Sequence, residues 1–71
     1  MRDFFVHQNQ DQSVLVGGVV SLINFAMDNI VVRVKGGLIE VNGKNLIIKR
    51  FDENEMTIVG KIAGVLTNVS H

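Results

Sequence analysis

The chain has no cysteine, proline, tryptophan or tyrosine. The missing thiols exclude disulfides, thiolate catalysis, iron–sulfur clusters and zinc sites built on cysteine, whether from cysteines alone or from cysteine and histidine pairs. A chain of 71 residues must then close one core by packing alone. A domain of that size buries only roughly 60% of the surface it exposes when unfolded, so association with another chain is a common supplement. Charge of one sign is also wanting: seven basic and seven acidic residues cancel. That leaves no long-range field to gather nucleic acid or an anionic membrane, and neutrality argues for protein partners. Long apolar runs are missing too. Met1-Arg2-Asp3-Phe4-Phe5-Val6-His7-Gln8 turns polar too soon for a signal peptide or a membrane span. A cytoplasmic location is therefore expected, and Asn68-Val69-Ser70 matches an N-glycosylation acceptor by chance.

What is abundant is branched. Twelve Val and seven Ile against two Ala is a β composition, because branched side chains lose freedom in helices and pack well on a pleat. Apolar residues alternate or run continuously, without helical spacing. Residues 1–13 read as an N-terminal arm with room for a short strand at Phe4–His7, the polar stretch 8–13 serving as a loop, and residues 14–71 as a single β domain. Strands are expected at Val14–Val16, Val19–Phe25, Ile30–Lys35, Leu38–Val41, Asn45–Phe51, Met56–Lys61 and Val65–Val69. Bends fall at Gly17-Gly18, Ala26–Asn29, Gly36-Gly37, Asp52–Glu55 and Gly60–Gly64. Asn42-Gly43 carries the strongest local hairpin signal, because both residues enter positive φ easily. Short strands joined by tight turns specify an antiparallel meander.

An internal repeat supports this reading. At an offset of 26 residues, Gly17-x-x-Val20-x-Leu22-x-x-Phe25-x-x-x-x-Ile30-x-Val32 aligns with Gly43-x-x-Leu46-x-Ile48-x-x-Phe51-x-x-x-x-Met56-x-Ile58, either as two copies of one ββ unit or as a match that simple alternation and turns imitate. The repeated apolar positions are expected to share one core. The alternate positions Val19, Ile23, Val31, Ile39, Ile47 and Val59 leave the opposite face unusually apolar. Strands apolar on both faces require cover on both, by the sheet folding over or by another chain. A homo-oligomer is expected, with Val31, Ile39, Ile47 and Val59 as its interaction face.

Residues with chemistry are thin. His7 and His71 stand at opposite ends with no third ligand at metal-binding spacing, and Asp52, Glu53 and Glu55 read as solvating charges of a turn rather than a cation loop. The glycine pairs precede neither a helix nor the Lys-Ser/Thr of a phosphate loop. Ser13, Ser21 and Ser70 have no nucleophile-elbow context. No catalytic residue, metal, cofactor or small-molecule substrate is expected. Lys44, Lys49, Arg50 and Lys61 form a basic strip that would serve nucleic acid. Single-strand binding, however, couples a positive groove to stacking aromatics, and charges that keep edge strands from indiscriminate pairing are the simpler explanation.

Gly18-Val19, Phe25, Ile30, Gly37-Leu38-x-Val41-x-Gly43-x-Asn45-Leu46-x-Ile48 and Ile58-x-Gly60-x-Ile62, in that order and spacing, resemble the YabP/YqfC family of small sporulation proteins of endospore-forming Firmicutes. The resemblance covers about residues 14–66 and is densest from Gly37 to Ile48. It implies a non-enzymatic protein needed in spore formation and encoded in some genomes beside a membrane protein, which it would meet as a partner. It carries over no catalytic residue: the matched positions are bends (Gly18, Gly37, Gly43, Gly60) and core (Phe25, Leu46, Ile48). The sequence departs from the pattern at Leu66, where an aromatic is expected, and at Arg33-Val34, where a more acidic, Thr-containing strand end is expected. The expectation is thus an all-β fold of six to seven short antiparallel strands in a sandwich or partly open barrel. It would act as a protein-interaction or scaffolding domain in endospore formation, and reach a membrane only through a partner. The alternative is a small barrel of the OB or Sm-like kind that binds RNA or single-stranded DNA through the basic strip.

Overall fold

The computed structural model describes residues 4–69, and these contain six strands and no helix. They are β1 (Phe5–Asn9), β2 (Ser13–Gly17), β3 (Val19–Phe25), β4 (Asn29–Val34), β5 (Gly37–Asp52) and β6 (Glu55–Val69). All pairings are antiparallel, in one open sheet of order β1-β2-β6-β5-β4-β3. The fold is all-β, as its composition requires.

β5 and β6 organise the sheet. They form one long bent hairpin, closed at Glu53-Asn54, where both φ angles are positive (46° and 69°). That is the geometry of a type I′ turn, whose twist matches the strands it joins. The ladder slips between Asn42 and Gly43 and again between Lys44 and Ile47. At this bend Asn45 adopts φ 54° and Gly60 φ 139°. Asn42-Gly43 is therefore not a turn: neither residue is left-handed, and they pair with Gly64 and Ile62 inside a continuous strand. The bend near Gly60 likewise stays within one strand, so two pairs of expected strands merge.

Beyond the bend each long strand changes neighbours. Residues 37–42 of β5 pair with β4, whereas residues 55–59 of β6 pair with β2. The sheet thus has two arms, and it is folded over: its extents are 31 × 22 × 21 Å, while a flat sheet is about 10 Å thick. Val14 and Val16 from β2, Ile30, Val32 and Val34 from β4, and Met56 and Ile58 from β6 join one core at 2% exposure or less.

Two of the turns outside the long hairpin brace the bend. Leu46 N–H donates to the Met27 carbonyl (2.8 Å) and Gly43 N–H to that of Asp28 (3.2 Å). Gly60 and Ile62 N–H donate to the carbonyls of Gln12 (3.1 Å) and Asp11 (2.8 Å). The polar stretch 8–13, expected as a loop, is therefore partly strand and partly bracing turn: Gln8 and Asn9 pair with Val14 and Ser13.

The sequence repeat is also a structural one. Phe25 faces Ile30 as Phe51 faces Met56, Asn24 faces Val31 as Arg50 faces Thr57, and Leu22 faces Val32 as Ile48 faces Ile58. Both hairpins slip at the same place, between Leu22 and Asn24 and between Ile48 and Arg50.

Candidate interaction surface

The face expected to bind a partner does not assemble. Ile39 is fully buried, because it lies directly opposite Val32 on β4 and antiparallel partners project to the same face, here the core. Val19 is buried as well. Ile47, 57% exposed, faces Val59 across β5 and β6 on the outside of one arm. Val31 lies on the other arm, opposite Glu40. Three of the four residues are therefore at least partly accessible, but they are divided between two arms.

The basic strip is divided too. Lys44 faces Lys61 across the ladder, while Arg50 Nε donates to Asp52 Oδ2 at 3.0 Å in an exposed ion pair. Lys49 is the extra residue of the bulge between Ile48 and Arg50. His7 lies in β1 opposite Leu15; His71 and Ser70 lie outside the described residues. Among the described residues, no group of three or more His, Cys, Asp or Glu is placed to hold a metal ion, and no helix is long and apolar enough to cross a membrane. Polar side chains associate on the outer face of β4 and β5, where Asn29 Nδ2 donates to Glu40 Oε2 (2.6 Å) and Asn42 Oδ1 (2.7 Å). Asn24 Nδ2 in turn donates to Asn29 Oδ1 (3.0 Å).

Exposed apolar surface gathers instead on β3. Of the ten large hydrophobic side chains exposed among the described residues, five lie between positions 20 and 27: Val20 (60%), Leu22 (39%), Ile23 (49%), Phe25 (54%) and Met27 (68%). Val20, Leu22 and Phe25, expected in the core, are thus on the surface. The reason is position: Leu22 and Phe25 do point to the core side, opposite Val32 and Ile30, but β3 ends the sheet and nothing overlies them there. Phe51, opposite Met56, is half-exposed at 48%; it lies in the half of β5 that β4 does not pair, since that ladder stops at Asn42.

β3 is also tied at both ends along an open margin. At its start Val19 N–H donates to the Asn54 carbonyl (2.8 Å), and Asn54 Nδ2 donates to the Val19 carbonyl (2.9 Å). At its far end the Met27-Asp28 turn is bonded to the bend of β5. Between these ties β3 and β5 are not ladder neighbours, so β3 presents an unpaired backbone edge. Edge strands are usually guarded by lysine, proline or an inward charge. Here no charged residue and no proline occurs from Gln12 to Met27. The protection it does carry is a pair of bulges, at Val20 and Ile23, which twist an edge locally. The sequence carries this signal in its charge-free run, which alternation arguments about faces pass over.

Fold and surface together define a small all-β protein with an apolar, uncharged edge. The model of the YabP family matches residues 6–68, and the chain belongs to that family. Membership points to a role in sporulation, and the family is not one of known enzymes. No curated protein and no solved structure matches the chain.

Proposed function

We propose that this protein is a non-enzymatic interaction domain of the endospore-forming programme, and that it makes its contact through the β3 edge. The observation that carries the reading is the coincidence on one strand of an unpaired backbone edge, four of the ten exposed large hydrophobics of the described residues, and a complete lack of charge. Edges of that kind add strands from another chain, with main-chain hydrogen bonds giving affinity and alternate side chains giving selectivity. The split of the basic strip and the zero net charge give the nucleic-acid alternative no comparable support.

The test is genetic. The gene is deleted in a spore-forming source and restored either as wild type or as Val20→Lys/Ile23→Lys, and heat-resistant spores are counted with vegetative growth as control. Deletion should cut spore numbers without slowing growth, and the edge variant, present at wild-type level, should fail to restore them. Full restoration by the edge variant would remove β3 from the function. Normal spore numbers after deletion would remove the function itself.

A further inference from the structure

We infer that Asn42-Gly43 is a latent deamidation site that the fold holds shut, a modification independent of what contacts β3. The dipeptide is stable while β4, β5 and β6 are paired, and it converts to aspartate and isoaspartate when that part of the sheet opens.

Asparagine is a thermolabile residue, and glycine after it leaves the reaction unhindered, because no Cβ stands beside the attacking backbone nitrogen. Gly43 N attacks Asn42 Cγ: a C–N bond forms, the Cγ–Nδ2 bond breaks, and ammonia leaves with the proton that Gly43 gives up. Water then opens the cyclic imide at either carbonyl. One product is aspartate at position 42. The other is isoaspartate, in which the main chain runs through the side-chain carbon and is longer by one atom.

The structure opposes the first step at each reacting group. Gly43 N–H donates to the Asp28 carbonyl (3.2 Å), which engages the attacking nitrogen. Asn42 Oδ1 accepts from Asn29 Nδ2 (2.7 Å), which fixes the amide under attack. Asn42 is also paired on both sides, with Asn29 of β4 and Gly64 of β6. Closing the imide ring requires the peptide between residues 42 and 43 to leave the extended conformation that these two ladders impose.

The same contacts explain why so reactive a pair stands inside a central strand. A Cβ at position 43 would collide with the Lys61 carbonyl, so glycine is required there, and Asn42 shares Asn29 Nδ2 with Glu40 Oε2 (2.6 Å). Conversion would undo both fits. Aspartate at position 42 sets a second carboxylate beside that of Glu40, and like charges at such spacing destabilise a sheet. Isoaspartate displaces the residues that follow along the β6 ladder, whose register the buried face fixes. A chain that reacts while open is therefore hindered from closing again.

The experiment follows the full chain in mildly alkaline buffer, folded or unfolded in urea. Trypsin releases Gly36–Lys44, in which Asn42 is the one asparagine, so the amide-to-acid mass change and enzymatic isoaspartate methylation of that peptide report this site alone. Conversion should be at least about a hundredfold slower in buffer than in urea, since folded chains outnumber unfolded ones by about 10³ or more in small domains. Asn29→Ala, shown by circular dichroism to be folded, should speed conversion several-fold in buffer and leave the rate in urea unchanged. Converted chain returned to buffer should unfold at a lower urea concentration than unconverted chain. Equal rates in buffer and urea would show that the fold does not hold the site shut, and an Asn42 that stays intact in urea would remove the site altogether. An Asn29→Ala rate equal to wild type in buffer would remove Asn29 from its protection. A converted chain with the wild-type midpoint would overturn the hindrance to reclosure.

Discussion

Replacing Gly43 by alanine should be among the most damaging single-methyl changes available in this chain. Gly43 is not left-handed, so the backbone itself tolerates a side chain, and the obstacle is space. A Cβ at this position falls well inside van der Waals contact with the carbonyl oxygen of Lys61, and 3.0 Å from both the Lys61 carbonyl carbon and Leu46 Cδ2. Leu46 is itself 1% exposed and has little room to turn. The Lys61 carbonyl is strand backbone and cannot swing aside, so relief requires β5 and β6 to part at their bend. Overpacking of this kind costs about 1–3 kcal/mol, and each ladder hydrogen bond stretched open adds about 1 kcal/mol. The expected loss is about 3 kcal/mol. At roughly 0.05–0.15 kcal/mol per residue, the whole domain has only about 4–11 kcal/mol, and Tm should fall by roughly 12–24 °C. Gly64→Ala is the internal control. It lies in the same strand pair, opposite Asn42, with nothing within 4 Å of a Cβ, and should be neutral or stabilising by up to about 1 kcal/mol. Urea unfolding followed by circular dichroism measures both. Gly43→Ala within about 0.5 kcal/mol of wild type, or no worse than Gly64→Ala, would show that β5 and β6 do not meet as described.

Two further substitutions test the burial assignments. Ile39→Ala should cost about 2–5 kcal/mol, as expected for a fully buried side chain. Phe25→Ala, at a position 54% exposed, should cost about 1 kcal/mol, and the reverse order in urea unfolding would restore Ile39 to the surface. Asn54→Ala removes the bond to the Val19 carbonyl and a residue suited to φ 69°, and should cost about 1–2 kcal/mol by the same assay. An unchanged midpoint would mean that β3 is not tied at its start.

Much of the fold is legible in the residues because local rules and packing agree. Branched side chains and tight polar turns locate β2, β3 and β4 to within a residue or so, and the turn at Asp52–Glu55 is where it should be. The repeat correctly pairs Phe25 with Phe51 and Leu22 with Ile48, down to the bulge each hairpin shares. Legibility ends where a local signal meets a longer-range demand. Asn42-Gly43 suits a hairpin turn, yet the close approach of β6 to Gly43 requires a residue without a side chain inside a strand. Ile39 falls on the wrong face when read from Leu38–Val41 alone, because its phase depends on pairing with β4, a register that alternation within one strand does not supply. Phe25 and Phe51 are core-side in direction and surface in fact, since the sheet stays open where they stand. The candidate surface is hidden from the sequence for the same reason: an edge is a property of strand order, and only its lack of charge is written in the residues.

The absence of any native thiol permits a direct test of the β3 contact. Single cysteines are placed in turn at Val20 and Ile23, and at Ile47 and Leu66 as exposed controls, each carries a thiol-attached photo-cross-linker, and each variant is irradiated in an extract of sporulating cells. Cross-linked adducts should form from positions 20 and 23 and be weak from 47 and 66. Stronger adducts from position 47 or 66 than from either β3 position would contradict the account.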